Sequence, residues 1–121
     1  IAIDRAIDAL GASAGLILTP DESCKNLEIL ESIGYPQSLF RDSRQYGVEE
    51  DFPLTVSFRE ERAFWMSDLD LWIDRFPSLL QSRSITHSRA LAVVPLQVEG
   101  KIAGVLCLSF PQTRQFDDEQ R

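Results

Sequence analysis

Residues with the types and spacing that catalysis needs are scarce in this sequence. His87 is the only histidine among the 121 residues, and serine- or cysteine-based nucleophilic mechanisms generally use histidine as the base. It lies in the polar stretch of residues 84–88, directly before an apolar run, which is typical of an exposed loop histidine. The sequence therefore predicts no catalytic triad.

The two cysteines form no recognisable metal or redox motif. Cys24 and Cys107 are far apart, with no CxxC pair and no histidine at metal-binding spacing, so a closed four-ligand zinc site is not expected. Cys107 lies within an apolar run, which favours a buried thiol and a reducing compartment. We expect no metal, and no glycine-rich phosphate loop with a basic partner is present.

Composition and charge indicate one globular domain. The length of 121 residues fits a single domain, and hydrophobic and charged fractions of 44% and 26% are ordinary. The net charge is −7 with scattered basic residues, which argues against contact with nucleic acid or an anionic membrane. No apolar run approaches the roughly 20 residues of a transmembrane helix, and no secretory signal is visible. We expect a cytoplasmic domain.

Apolar spacing before Pro77 predicts short helices interleaved with short strands. Ile3, Ile7 and Leu10 share one face of a helix over residues 1–10. Residues 14–19 and 26–33 are strand-like and flank a polar turn, which predicts an antiparallel hairpin. The remaining predictions are a loop or short helix over residues 36–50, a helix from Pro53, a strand over 63–66, and a helix that a capping box at 67–70 opens.

The strongest strand signal is the pair of segments 89–98 and 101–110, with Glu99 and Gly100 as the turn between them. Both faces of each segment are apolar, so this sheet must be covered on both sides. The predicted class is α+β, with a central antiparallel sheet and helices on both faces. A closing helix is expected from Phe116.

The distinctive segments of the chain, in order, are residues 11–18, 27–34, the Pro53 helix, 65–68, 76–79, the paired blocks 92–96 and 104–110, and 114–116. This ordered set resembles a GAF domain over nearly the whole chain. The resemblance implies five or six antiparallel strands with helices on both faces. A PAS domain, similar in size and architecture, is the runner-up, but its helical elements precede a longer run of sheet, whereas here helical stretches interrupt the strands.

The resemblance also implies a small-molecule pocket between the sheet and the helical connections of residues 39–79. Aromatic residues at helical spacing are equally typical of a filled core, and that alternative stays open. A covalent bilin, which some members carry on a cysteine beside a histidine, is not expected because neither cysteine is near His87. The candidate lining residues are Phe58, Trp65, Trp72, Phe76, Leu91 and Val93, with polar contacts from Ser82, Thr86 or Arg89.

The function that the resemblance implies is small-molecule sensing within a multidomain signalling protein such as a sensor histidine kinase. The chain would then be one GAF-like domain over residues 1–121, cut within its first and last helices, with an output domain elsewhere in the same protein. The alternative is a ligand-free dimerisation module that pairs through its terminal helices. A cysteine-dependent redox enzyme is the third hypothesis.

Overall fold

A six-stranded antiparallel sheet forms the centre of the molecule. The computed structural model describes residues 3–35, 45–77, 79 and 88–113. The strand order is β3-β2-β1-β6-β5-β4, so the predicted α+β class and strand number are confirmed. The elements in chain order are α1 (Ile3–Leu10), β1 (Ala14–Pro20), β2 (Asn26–Ile33), β3 (Gln45–Gly47), α2 (Pro53–Glu60), β4 (Phe64–Met66), a 3-10 turn (Leu69–Leu71), β5 (Ala90–Val98) and β6 (Lys101–Phe110).

The β5–β6 hairpin is the longest ladder of the sheet and follows directly from its sequence. Its register runs from Ala90 opposite Phe110 to Val98 opposite Lys101. Glu99 and Gly100 connect the strands with φ values of 54° and 80°. Positive φ at both central residues is the type I′ geometry, whose twist matches that of a hairpin. The predicted turn and pairing are confirmed.

Both faces of these strands are buried, as their apolar pattern predicts. Leu91 and Val93 belong to one hydrophobic cluster, together with Val56 of α2, and we call this side of the sheet the α2 face. Ala90 and Ala92 belong to a second cluster on the opposite side, against which Ile7 of α1 packs, and we call it the α1 face. Because side chains alternate along a strand, each strand contributes to both clusters.

The stretch before α2 contains a strand that the sequence does not predict. Residues 36–50 were expected to form a loop or short helix, but Gln45–Gly47 pairs with residues 26–28 of β2 as an edge strand. Its three residues carry only one apolar anchor, Tyr46, so no alternation was visible. Residues 36–44 and the closing helix from Phe116 lie outside the described residues.

The helix predicted after β4 is wrong: a 3-10 turn over Leu69–Leu71 and irregular turns take its place. Asp68 does cap the segment, because its carboxylate accepts a hydrogen bond from the backbone N–H of Asp70. The segment before Pro77 is too short for helical propensity to dominate. Leu69, Trp72 and Phe76 nevertheless all pack into the α2-face cluster, so the inward face was identified correctly.

Gly104 lets β1 and β6 approach closely. A Cβ atom built on Gly104 would lie 2.5 Å from the backbone oxygen of Leu18. Leu18 is fully buried at the centre of the sheet, so its backbone has little room to yield.

We predict that Gly104→Ala lowers the free energy of unfolding by about 1–3 kcal/mol, as overpacking does. Gly47→Ala is the matched control, since the nearest atom to its new Cβ is a Glu50 carboxylate oxygen at 3.4 Å, an ordinary van der Waals distance. Urea denaturation measures both variants. Equal losses in the two variants would contradict the close approach of β1 to β6.

Candidate functional site

The α2 face gathers most of the apolar residues that the sequence proposes as a pocket. Phe76 and Val93 are completely buried there, Leu91 is nearly so, and Phe58 and Trp72 are half-buried against the same cluster. The structure therefore brings these candidates together beneath α2 and the turn that follows β4. That they line a ligand site stays a prediction, and a filled core is its alternative.

Three aromatic rings contact one another on this face. Phe64 meets Trp72 edge to face, with ring centroids 5.8 Å apart, and Phe76 at 5.6 Å. Trp72 and Phe76 stack with an interplanar angle of 14°. Phe64 is absent from the sequence candidates, although its place beside Trp65 in a strand is a signal that could have separated the two. We call Phe64, Trp72 and Phe76 the aromatic triad.

Trp65 lies on the opposite side of the sheet from the aromatic triad. In β4, Phe64 and Met66 are buried in the α2-face cluster, and Trp65 packs against the α1-face cluster. The strand alternation requires this, because Trp65 pairs with Ala92 and shares its face. Trp65 is thus separated from the other aromatic candidates by the sheet.

Of the three polar candidates, the structure describes one, Arg89. Arg89 is exposed, and its backbone holds the β4–β5 region together. Its N–H donates to the Phe110 oxygen at 2.8 Å and its carbonyl accepts from the Leu69 N–H at 2.9 Å. Ser82 and Thr86 lie outside the described residues, as does His87.

A buried polar cluster that the sequence does not reveal lies at one end of the α2 face. The Tyr35 hydroxyl hydrogen-bonds the Ser109 hydroxyl and lies 3.8 Å from the Cys107 sulfur. Burial raises the pKa of the Cys107 thiol to about 12, and burial raises the pKa of Tyr35 well above its usual value. Both groups are therefore neutral at pH 7. Tyr35 follows β2 and Ser109 lies two strands away on β6, so only the folded sheet brings them together.

The inward side of α2 carries two buried hydroxyl groups with different surroundings. The Thr55 hydroxyl accepts from the Phe52 N–H at 3.1 Å and donates to the Glu50 carbonyl at 2.5 Å, which ties down the start of the helix. The Ser57 hydroxyl is also completely buried. It is the one buried side-chain polar atom without a hydrogen-bond partner in the part of the chain that the structure describes.

The described arginines at the edge of this face are Arg59, Arg62 and Arg75. The Arg62 guanidinium lies over the Phe64 ring, 5.1 Å from its centroid. Arg59 donates to the carbonyl oxygens of Val48 and Glu50 at 2.6 and 3.0 Å. Arg75 donates to the Asp51 carboxylate at 3.0 Å, and its guanidinium lies 4.2 Å from the centroid of Phe76. The Arg59 contacts hold α2 against the turn that follows β3, and the Arg75 contact joins the segment after β4 to the same turn.

The buried part of this face that the structure describes is apolar and aromatic, with a few hydroxyl groups and no charged side chain. Such a surface binds apolar molecules by burial and orients them through a small number of polar contacts. Within residues 3–35, 45–77, 79 and 88–113, no group of His, Cys, Asp and Glu side chains is placed to hold a metal ion. None of the described helices is long and apolar enough to cross a membrane.

Comparison with protein-family models identifies the chain. The model described as "GAF domain" matches residues 1–121. No curated protein matches the chain. The match covers the whole sequence, including every element of the sheet and both helices described above.

Solved structures with the same fold include two GAF domains of phosphoenolpyruvate-protein phosphotransferases. The one from Coxiella burnetii has a TM-score of 0.75 and 16% identity over 98% of this chain and 68% of its own. The one from Acinetobacter has a TM-score of 0.72 and 14% identity over 98% of this chain and 66% of its own. A domain of a putative two-component sensor histidine kinase from Sinorhizobium meliloti 1021 has a TM-score of 0.71 and 19% identity, with 97% and 73% covered. At these identities the likeness shows the fold, and this chain spans about two thirds to three quarters of theirs.

We predict that the two thiols differ sharply in reactivity. Cys24 is exposed and Cys107 is buried, and a pKa near 12 leaves roughly one Cys107 in 10,000 as thiolate at pH 8. Iodoacetamide at pH 8 should therefore add one carbamidomethyl group to the folded protein and two in urea, as read by mass spectrometry. Rapid double labelling of the folded protein would contradict the buried position of Cys107.

We also predict that Ser109→Ala lowers the free energy of unfolding by about 1–3 kcal/mol, because it leaves the buried Tyr35 hydroxyl without this hydrogen-bond partner. The double variant Ser109→Ala with Tyr35→Phe, which removes both hydroxyls, should recover part of that loss. Urea denaturation of the single and double variants measures the difference. Additive losses would contradict the pairing.

Proposed function

Because the chain belongs to the GAF domain family, we propose that it is a regulatory module of a larger signalling protein and that it binds a small molecule on its α2 face. The observation that carries the proposal is that the aromatic triad lies among apolar side chains that are only half-buried. Phe58, Trp72 and Ile73 are half-buried although they are apolar. A ligand that covered them would remove further apolar surface from water, which is the main source of affinity in such sites.

A signal from this face has a short route to α1. Leu91 and Val93 lie under the α2-face cluster, while Ala90 and Ala92 of the same strand lie under the α1-face cluster. A ligand that shifts β5 therefore also shifts the surface on which Ile7 and Leu10 of α1 pack. Coupling needs only that the ligand binds two arrangements of this strand with different affinity.

The proposed setting is cytoplasmic, in a protein such as a sensor histidine kinase whose output domain lies elsewhere in the same chain. Support comes from the structural likeness to a domain of a putative two-component sensor histidine kinase and to GAF domains of phosphotransferases. The domain itself is proposed to be non-catalytic. A thiol nucleophile needs a lowered pKa, and the raised pKa of Cys107 is opposite to that requirement.

A second candidate function is a ligand-free dimerisation module that pairs through its terminal helices. The observation in its favour is that the triad side chains pack against one another, since Phe76 is completely buried and stacks on Trp72. Such packing can fill the space that a ligand would need. In that case α1 would have to pack both against its own sheet, through Ile7 and Leu10, and against a second copy of the chain. Sedimentation of a longer chain with both terminal helices complete should then show a dimer.

The proposed function is tested by thermal-shift screening against cyclic nucleotides, nucleobases, amino acids and tetrapyrroles. A ligand at about 100 times its Kd should stabilise the fold by roughly 2.7 kcal/mol, a rise of several degrees in Tm. The two tryptophans provide matched variants, since Trp72 lies on the α2 face and Trp65 on the α1 face.

We predict that Trp72→Ala abolishes the ligand-induced rise, because it removes a wall of the aromatic triad. Trp65→Ala should lower the Tm of the free protein but keep the rise. Retention of the full rise in Trp72→Ala would contradict binding on the α2 face. The absence of any stabilising compound in the screen would favour the dimerisation module.

A further inference from the structure

The hydroxyl of Ser57 is a buried group that the packing of the protein does not explain. Its side chain has no exposed surface, and its oxygen has no hydrogen-bond partner within the described part of the chain. Serine within a helix commonly donates to the carbonyl oxygen four residues earlier, here that of Pro53, but this bond is not made. Most buried polar side chains in native proteins are paired, so an unpaired one calls for an explanation.

Packing alone would be served better by alanine. The buried positions of α2 include Pro53, Val56 and Ser57, spaced i, i+3 and i+4, as well as Thr55 near its start. A small residue at position 57 lets the helix lie close to the sheet. Alanine has nearly the same size, a higher helix propensity and no hydroxyl to desolvate. Serine at this position therefore weakens the fold relative to alanine, as residues retained for function often do.

The surroundings of Ser57 define what a partner for its hydroxyl must be. The neighbouring Val56 belongs to the α2-face cluster. The buried polar side chains of the described residues are those of Thr55, Ser57, Ser88 and Ser109, and none of them is formally charged. Tyr35 and Cys107, which have raised pKa values, are neutral there as well. Arg59, Arg62 and Arg75 are exposed at the edge, where Arg59 and Arg75 bind Val48, Glu50 and Asp51. An ionic group buried beside Ser57 would therefore meet no buried counter-charge among the described residues.

We propose that Ser57 is the hydrogen-bond donor that orients the ligand of the α2 face, and that this ligand is an uncharged, largely apolar molecule with a carbonyl or similar acceptor atom. The inference rests on the proposed sensor function. It adds the class of ligand and the residue that hydrogen-bonds the polar group of the ligand. The aromatic triad and Val56 contribute burial, and the Ser57 hydroxyl contributes orientation. Donation is assigned because unpaired buried donors are rarer than unpaired acceptors.

The test compares two probes of the same shape on the same protein. Acetophenone carries a carbonyl oxygen where α-methylstyrene carries a CH₂ group, so the pair isolates one hydrogen-bond acceptor. Titration of the 121-residue chain with each probe, followed by amide chemical shifts in NMR spectra, gives the two Kd values. For the wild-type chain we expect acetophenone to bind more tightly than α-methylstyrene.

Ser57→Ala should weaken acetophenone binding by roughly 3- to 10-fold, the usual worth of one neutral hydrogen bond. It should leave α-methylstyrene binding unchanged or slightly stronger. In the free protein the same variant should keep or raise the Tm, because no hydrogen bond is lost. Ser109→Ala is the matched control, since its hydroxyl is paired with Tyr35, and it should lower the Tm of the free protein.

Several outcomes would overturn the assignment. Equal loss of both probes in Ser57→Ala, equal affinity of acetophenone for both proteins, or a Tm loss in Ser57→Ala as large as that in Ser109→Ala would each show that Ser57 has only a structural part. Failure of both probes to bind the wild-type chain at millimolar concentration would also overturn it. The sensor function would survive any of these results if the wider thermal-shift screen finds a ligand that Trp72→Ala abolishes.

Discussion

The pairing of β5 with β6 is the interaction on which the rest of the structure depends. Nine residues of β5 lie in this ladder, from Ala90 to Val98, and both of its faces are apolar where it is buried. A sheet of this kind is stable only when each face is covered. On one side α1 packs over Ala90 and Ala92 together with the aromatic residues Trp65 and Phe110. On the other side α2 and the aromatic triad cover Leu91 and Val93.

This division gives the proposed sensor a simple physical basis. The ligand surface and the α1 surface share the backbone of the same strands, so a displacement on one face reaches the other within a single residue of β5 or β4. The paired neighbours Phe64 and Trp65 illustrate this, since one packs under α2 and the other under α1. The buried polar groups that the structure describes on the ligand side are hydroxyls and a neutral thiol, which suits the proposed recognition of an uncharged molecule. Among the described residues, the buried hydroxyl without a partner is that of Ser57, and the proposed ligand would supply the missing acceptor.

The sequence specified the features that depend on local pattern. Two-residue periodicity with Glu99 and Gly100 identified the hairpin, and the i, i+3, i+4 stripe identified α1. Features that depend on tertiary contacts were not visible. The strand Gln45–Gly47 exists because it pairs with β2, and the meeting of Tyr35 with Ser109 requires β1 to lie between their strands. Treating the aromatic residues as one pocket set overlooked the strand alternation that places Trp65 opposite Phe64. The segment after Asp68 kept its inward face but not its helix, because packing and not propensity shapes so short a stretch.

The central claim is that a ligand on the α2 face is sensed on the α1 face through the sheet. The chain contains two tryptophans, one on each face, so 5-fluorotryptophan labelling gives one ¹⁹F NMR signal per face. Titration with the ligand found by thermal-shift screening should move the Trp72 signal by direct contact and the Trp65 signal through the displaced strands, with the same Kd. A Trp65 signal that stays in place while Trp72 saturates would contradict the account.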